Sequence, residues 1–419
     1  MREASCADDY DPNSMPVAKA RELIRSFLTP MAAVERVDVR SALGRVLAAD
    51  VVSPIAVPGH DNSAMDGYAV RFEDLVPAGE TMLRRVGASS AGKPWAGAIG
   101  AGECVRIFTG GVMPRGADTV VMQERAVEDG TGVRIAPGAV IKAGQNRRFA
   151  GEDLKAGQLV FRAGLRVHPA ELGMIASLGM GEVNVFRRLR VAFFSTGDEL
   201  KSVGTPLRAG EVYDSNRYTL HGMLTRLGCD VIDMGVIEDV PEKIERAFAI
   251  AADAADVVIT SGGVSVGEAD YVRQLLDKLG EVLFWKIAMK PGRPLAYGKI
   301  GGAHFFGLPG NPVAVMVTFY QFVREALLIL QGQRDVAPLP TFKVALSAPI
   351  KKMPGRTEFQ RGILTADAGG TWSVRTTGEQ GSAILSSMSQ ANCFIVLSTE
   401  TGNVRAGELV EVQLLQGLV

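Results

Sequence analysis

Between Asp256 and Tyr271 the chain reads DVVITSGGVSVGEADY. Val257, Val258 and Ile259 are a short, β-branched apolar run, the mark of a buried strand. The run leads into Ser261-Gly262-Gly263 and then Gly267-Glu268-Ala269-Asp270. Glycine lets a backbone turn tightly and approach a ligand closely. Free amide N–H groups in such a turn cradle an anion, and a helix start beside it adds partial positive charge. Carboxylates cannot bind a phosphate directly, but a divalent cation between the two can bridge them. The chemistry suggested is a metal-assisted site for a phosphorylated ligand.

Two further loops repeat the design. Ser195-Thr196-Gly197-Asp198-Glu199 and Leu308-Pro309-Gly310-Asn311-Pro312 each follow a strand-like run. One glycine turn usually only connects elements. Three of the same build, two of them with carboxylates, point to a binding edge at the carboxyl ends of parallel strands. Asp198, Glu199, Asp239 and Asp270 form the acidic set. Each has two readings: a helix cap or first-turn acid, or a ligand of Mg²⁺ bridging to phosphate. Lys286, Lys290 and Arg293 lie in a proline-stiffened loop, KIAMKPGRP, that is either solvated or the positive wall of an oxyanion site. Upstream, DNSAMDGYA (61–69) is too polar for a strand; an Asx-turn network alone accounts for Asp61, Asn62 and Ser63. Phe108-Thr109-Gly110-Gly111, Gly144 to Arg148 and Gly151-Glu152-Asp153 are similarly rich in functional groups. His60, His168, His221 and His304 show no ligand spacing and read as structural.

These segments need a scaffold. From about Leu189 to Gln331 strand-like and helix-like runs alternate, which predicts βαβ units, a parallel sheet and helices on both faces. The fold class expected is multidomain α/β plus β, with a central doubly wound, mostly parallel sheet. Residues 1–14 read as a disordered tail. Residues 15–58 and 145–187 read as a small, discontinuous N-terminal linking domain, and 59–144 as an inserted β-rich domain of short strands and Gly/Pro turns. The α/β domain covers 188–335, and 336–419 reads as a C-terminal β-barrel-like domain.

Composition narrows the class. The 419 residues are 47% hydrophobic and 22% charged with a net charge of -1, so no bulk electrostatic attraction to nucleic acid or membrane is expected. Cys6, Cys104, Cys229 and Cys393 are far apart in sequence, which gives no CxxC signature and suits a reducing cytoplasm. The polar, acidic N-terminus lacks the apolar core of a signal peptide. The longest apolar run, Val313 to Val323, is too short to span a membrane. The expectation is a cytoplasmic protein.

Taken in order, the motifs resemble one family, the molybdopterin molybdenumtransferases of the MoeA type, also found as the E domain of gephyrin. The resemblance runs from about Pro16 to Val412. It rests on DNSAMDGYA, Thr109-Gly110, Gly151-Glu152-Asp153, STGDEL (195–200), SGGVSVGEADY (261–271), FWK…KPGRP (284–294), GLPGNPV (307–313), PGRTEFQRG (354–362) and Gln380-Gly381-Ser382. It implies an elongated homodimer of four-domain subunits, with the cleft between one subunit's central domain and the other's β-rich domain. It implies a Mg²⁺-dependent reaction of adenylylated molybdopterin with molybdate that forms molybdenum cofactor and releases AMP. By motif position, Glu199, Asp239 and Asp270 become the Mg²⁺-associated acids. Lys286, Lys290, Arg361 and Ser382 become phosphate and molybdate anchors, with Ser261, Gly262, Gly263 and the Pro309-Gly310-Asn311-Pro312 loop. Asp66, Thr109, Arg148 and Asp153 are the β-rich side's contribution. Transient contact with the molybdopterin adenylyltransferase and with apo-molybdoenzymes is implied as well. Phe149 and Ala150 depart from a basic run, and Ala314 from a serine, that the family often carries. Two other functions compete: a molybdopterin adenylyltransferase, which is essentially the central domain alone, and a non-catalytic scaffold. The extra domains argue against the first and the intact acids and Lys290 against the second. Nothing in the sequence separates molybdate from tungstate.

Overall fold

The computed structural model describes residues 14–31, 33–130, 132–262 and 280–415. Residues 1–13 of the expected tail, Gly263 and Asp270 lie outside the described residues.

Helix α1 (Val17–Ser26) buries Val17, Ala20 and Ile24, three positions on one helical face. They join the core under the central sheet, although the boundary read from the sequence groups residues 15–58 with the linking segments. Phe27, just past the last residue of the helix, is 49% exposed.

Beyond α1 the chain runs outward and returns along itself. Val34–Asp38 pairs with Glu182–Phe186, Val51–Val52 with Leu159–Phe161, Val57 with Leu154, and Asn62–Ser63 with Arg147–Arg148. At the far end of this ladder, strands between Gly67 and Ile135 form a six-stranded sheet. That placement explains why Asn62-Ser63 of DNSAMDGYA and Arg147-Arg148, 84 to 86 positions apart, share one edge.

The central sheet is built from β1 (Arg190–Thr196), β2 (Asp230–Ile237), β3 (Val257–Ser261), β4 (Gly280–Lys286), β5 (Pro294–Ile300) and β6 (Ala303–Leu308). Their order is β2-β1-β3-β6-β5-β4. The pairs β1/β2, β1/β3 and β3/β6 are parallel; β5/β6 and β4/β5 are antiparallel. Strand side chains alternate between faces. Val191 and Phe193 join one core with α2 (Ser215–Arg226), while Ala192 and Phe194 join another with α3 (Pro241–Ala254). β3 is buried along its whole length, which is why its sequence is continuously apolar or small rather than alternating.

α4 (Pro312–Thr318) opens a helical stretch that continues through a π turn to Leu330. At 19 residues it is longer than the apolar run read from sequence, and long and apolar enough to cross a membrane by length and composition. Its most apolar window is 78% buried within the protein, as a core helix is. Gln321 does not break it, because its side chain is buried and hydrogen-bonded to Arg21 and Gln413.

The C-terminal region contains β7 (Thr341–Leu346), β8 (Thr357–Ala366), β9 (Trp372–Thr376), α5 (Leu385–Gln390), β10 (Cys393–Leu397) and β11 (Leu409–Leu414). The order β8-β9-β7-β11-β10 closes on itself because β8 pairs with both β9 and β10, giving a five-stranded barrel. Met289–Lys290 adds to β8 in parallel, so the lysine loop is fastened to the barrel wall.

Candidate functional site

The three loops meet. In the parallel register Ser195 lies beside Ser261, and Ser261 beside Leu308, so all three turns leave the same carboxyl edge of the sheet. The backbones are close-packed there. Gly262 has φ +91°, and a Cβ on it would lie 2.6 Å from the Thr196 carbonyl oxygen. Its N–H donates to the Leu308 carbonyl at 3.2 Å. Only glycine fits this position. The three turns are also laced by side chains: the Ser195 and Ser261 hydroxyls are 3.2 Å apart, and the Asn216 amide donates to Ser261 Oγ (3.2 Å) and to the Gly310 carbonyl (2.6 Å).

The acidic loops lie beside this edge. Asp198 and Glu199 follow β1, and Asp239 follows the neighbouring β2; the Asp239 N–H donates to Asp198 Oδ1 at 3.4 Å. All three are exposed. Their oxygen donors are of the hard kind that suits Mg²⁺. Among the described residues no three acids, histidines or cysteines gather closely enough to hold a metal ion, and the third expected acid, Asp270, is outside them.

Positive charge arrives from β4 and the barrel. Lys286 ends β4 and is exposed, and Lys290, half-buried, stands in register with Glu358 of β8. The loop between them is pinned: Ala288 N–H donates to Met15, Thr357 N–H to Ala288, and Ile287 N–H to Arg293. From the barrel, the Ser382 hydroxyl accepts from Asn311 Nδ2 (3.0 Å), and its carbonyl accepts from the Val313 N–H (3.0 Å). The 309–312 loop is therefore shared between the sheet edge and the barrel.

Arg361, expected as a phosphate and molybdate anchor, is enclosed by its own domain. It is 1% exposed, with Nε donating to Ser387 Oγ (2.9 Å) and Nη2 to the Gly381 carbonyl (3.0 Å). Its own N–H donates to Gln380 Oε1 at 2.8 Å. Burial pushes the guanidinium down to about 10. The side chain thus grips the residue preceding Ser382 from behind. Asn216 and Ser387 are not distinguished by the sequence; the only local signal is the Asp214 cap that starts α2 and so places Asn216.

In the β-rich region, Asp66 Oδ1 accepts from both the N–H (2.7 Å) and the hydroxyl (2.8 Å) of Thr109. These bonds, helped by the Arg106 charge, hold its carboxyl below the usual range. Asp61 is paired with Arg147, and Arg148 is exposed in register with Asn62. The Asp153 N–H donates to Val57, and its side chain faces solvent. Among the described residues no hydrogen bond or ion pair joins Asp66, Thr109, Arg148 or Asp153 to the sheet-edge loops of the same chain. Thiol chemistry has no place in either group: Cys104, Cys229 and Cys393 are buried, and burial pushes each up to about 12.

Three family models match the chain. The MoeA N-terminal region (domain I and II) covers residues 15–179, a probable molybdopterin binding domain covers 192–328, and the MoeA C-terminal region (domain IV) covers 343–415. The chain is 46% identical over 381 residues to a molybdopterin molybdenumtransferase of Haemophilus influenzae, covering 90% of this chain and 93% of that one. To a protein of the same name from Nostoc sp. it is 40% identical over 305 residues, covering 71% and 70%. A crystal structure of molybdopterin biosynthesis moeA protein from Pyrococcus horikoshii matches with a TM-score of 0.82 at 29% identity, across 96% of this chain and 100% of that one.

Proposed function

We infer that this chain, which belongs to the family of molybdopterin molybdenumtransferases, carries molybdenum from molybdate to adenylylated molybdopterin and releases AMP in the cytoplasm. The observation that carries the reading is the sheet edge. Three glycine turns leave the sheet in register, with the 309–312 loop bonded to Ser382 of the barrel, and bring backbone amides and hydroxyls to one edge. Such a surface suits a pyrophosphate and a tetrahedral oxyanion.

In this reading the pyrophosphate lies against the Ser261-Gly262-Gly263 turn and the Pro309-Gly310-Asn311-Pro312 loop. Lys286 and Lys290 place two cations on the side where negative charge grows as the phosphoanhydride breaks. The Ser382 hydroxyl, already held by Asn311, faces the molybdate. Arg361 serves from behind, by keeping the Gln380-Gly381-Ser382 segment in place. Glu199, Asp239 and Asp270 would hold Mg²⁺, which offsets phosphate charge when bound. Asp66, Thr109, Arg148 and Asp153 complete the cleft from a second copy of the chain. The product then passes to apo-molybdoenzymes, and the substrate comes from a molybdopterin adenylyltransferase.

Purified protein with adenylylated molybdopterin and Mg²⁺ is expected to release AMP when molybdate is added. Release that ignores molybdate, or binding of substrate with no release, contradicts this function.

A further inference from the structure

Asn216 stands in the first turn of α2 and is 6% exposed. Its amide nitrogen donates to partners in two different loops, Ser261 Oγ at 3.2 Å and the Gly310 carbonyl at 2.6 Å. The Gly310 carbonyl can only accept, so the NH₂ group must face it. Oδ1 is thereby turned away and buried, with no hydrogen-bond partner among the described residues. An unpaired buried acceptor is unfavourable, so the side chain holds this pose because of what its nitrogen grips. Ser261 in turn touches Ser195, so the grip extends to the end of β1.

The peptide between Gly310 and Asn311 is trans. A trans peptide carries its C=O and N–H on opposite sides. Drawing the Gly310 carbonyl inward therefore turns the Asn311 N–H outward, toward the exposed side of the loop. Among the described residues no backbone acceptor takes that N–H.

We propose that Asn216 is a positioning residue that locks the 261–262 turn to the 309–312 loop and aims the Asn311 N–H at the substrate's anionic group. The proposal rests on assigning these loops to the pyrophosphate. It is tested on the full chain with Asn216→Ala and Asn216→Asp. The second variant keeps the volume but sets an acceptor against the Gly310 carbonyl, so its effect does not come from a cavity. Hydrogen exchange in the segments containing Gly262 and 308–313 is expected to be about 10-fold faster in both variants, with the barrel strands unchanged. The KM for adenylylated molybdopterin is expected to rise about 10-fold, with kcat within about twofold of wild type. Unchanged exchange in those segments overturns the lock, and faster exchange with an unaltered KM overturns its role in positioning. If the wild-type chain releases no AMP, the functional assignment falls, and the exchange comparison still decides whether the lock exists.

Discussion

Replacing Arg361 with methionine separates a brace from a direct anion contact. The guanidinium is buried and makes no ion pair among the described residues; its partners are Ser387 Oγ and the Gly381 carbonyl. Ser387 keeps its own bond to the Ile384 carbonyl (2.6 Å) after the change. The Gly381 carbonyl, in an exposed residue, keeps the bond from the Ile384 N–H (3.3 Å), so no buried acceptor is left unpaired and the loss is that of two hydrogen bonds from the guanidinium. Removing a desolvated cation without a counterion is favourable and offsets that loss. Global stability is therefore expected to change by less than about 2 kcal/mol. The Gly381-Ser382 segment, however, loses a bond from a charged donor, about 1.5–3 kcal/mol, which lowers the fraction of loops in the competent pose about 10- to 100-fold. Steady-state AMP release against molybdate concentration should show the apparent KM for molybdate raised by a factor in that range. Urea unfolding of the same variant should show a nearly unchanged midpoint. A KM for molybdate within about twofold of wild type, at unchanged stability, would refute the brace.

Thr109→Val removes one of the two bonds that depress the Asp66 carboxyl, so its pKa should rise toward the ordinary value near 3.9 in a carboxyl ¹³C NMR titration. Because the depressed group stabilises the fold above its unfolded pKa and loses that contribution as pH falls through the folded one, the variant should lose it at a higher pH than wild type. His304 is buried beside Tyr297, and burial pushes its imidazole down to about 4. The folded state resists its protonation, so stability should be full above about pH 6.5 and fall by up to about 3 kcal/mol toward pH 4. Unfolding curves of His304→Phe should lack that part of the slope. Asp239→Asn should raise the Mg²⁺ concentration needed for half-maximal AMP release about 10-fold or more; an unchanged Mg²⁺ dependence removes Asp239 from the metal set.

Much of this site could be read in the sequence because glycine and proline punctuate it. Gly197, Gly262 and Gly310 follow buried strands, and φ values of +146° and +91° at the first two fulfil what glycine is needed for. The parts that could not be read depend on distant partners. Asn216 meets residues 45 and 94 positions away, and nothing in SNRYTL distinguishes it from an ordinary first-turn residue. Arg361 reads by motif position as an anion anchor, and only its distant partners, Ser387 and Gly381, show the buried grip it makes instead. The packing of α1 on the central sheet was hidden for a similar reason: Met15 bonds to Lys286 across 270 residues and carries the helix there.

The most direct test follows molybdenum itself. Purified protein is given adenylylated molybdopterin, Mg²⁺ and molybdate, and the pterin product is isolated and assayed for bound molybdenum against AMP released. Equal amounts of pterin-bound molybdenum and AMP, with the product able to activate an apo-molybdoenzyme, are expected. AMP released without molybdenum on the pterin would contradict the assignment and leave the sheet edge as a hydrolytic or storage site.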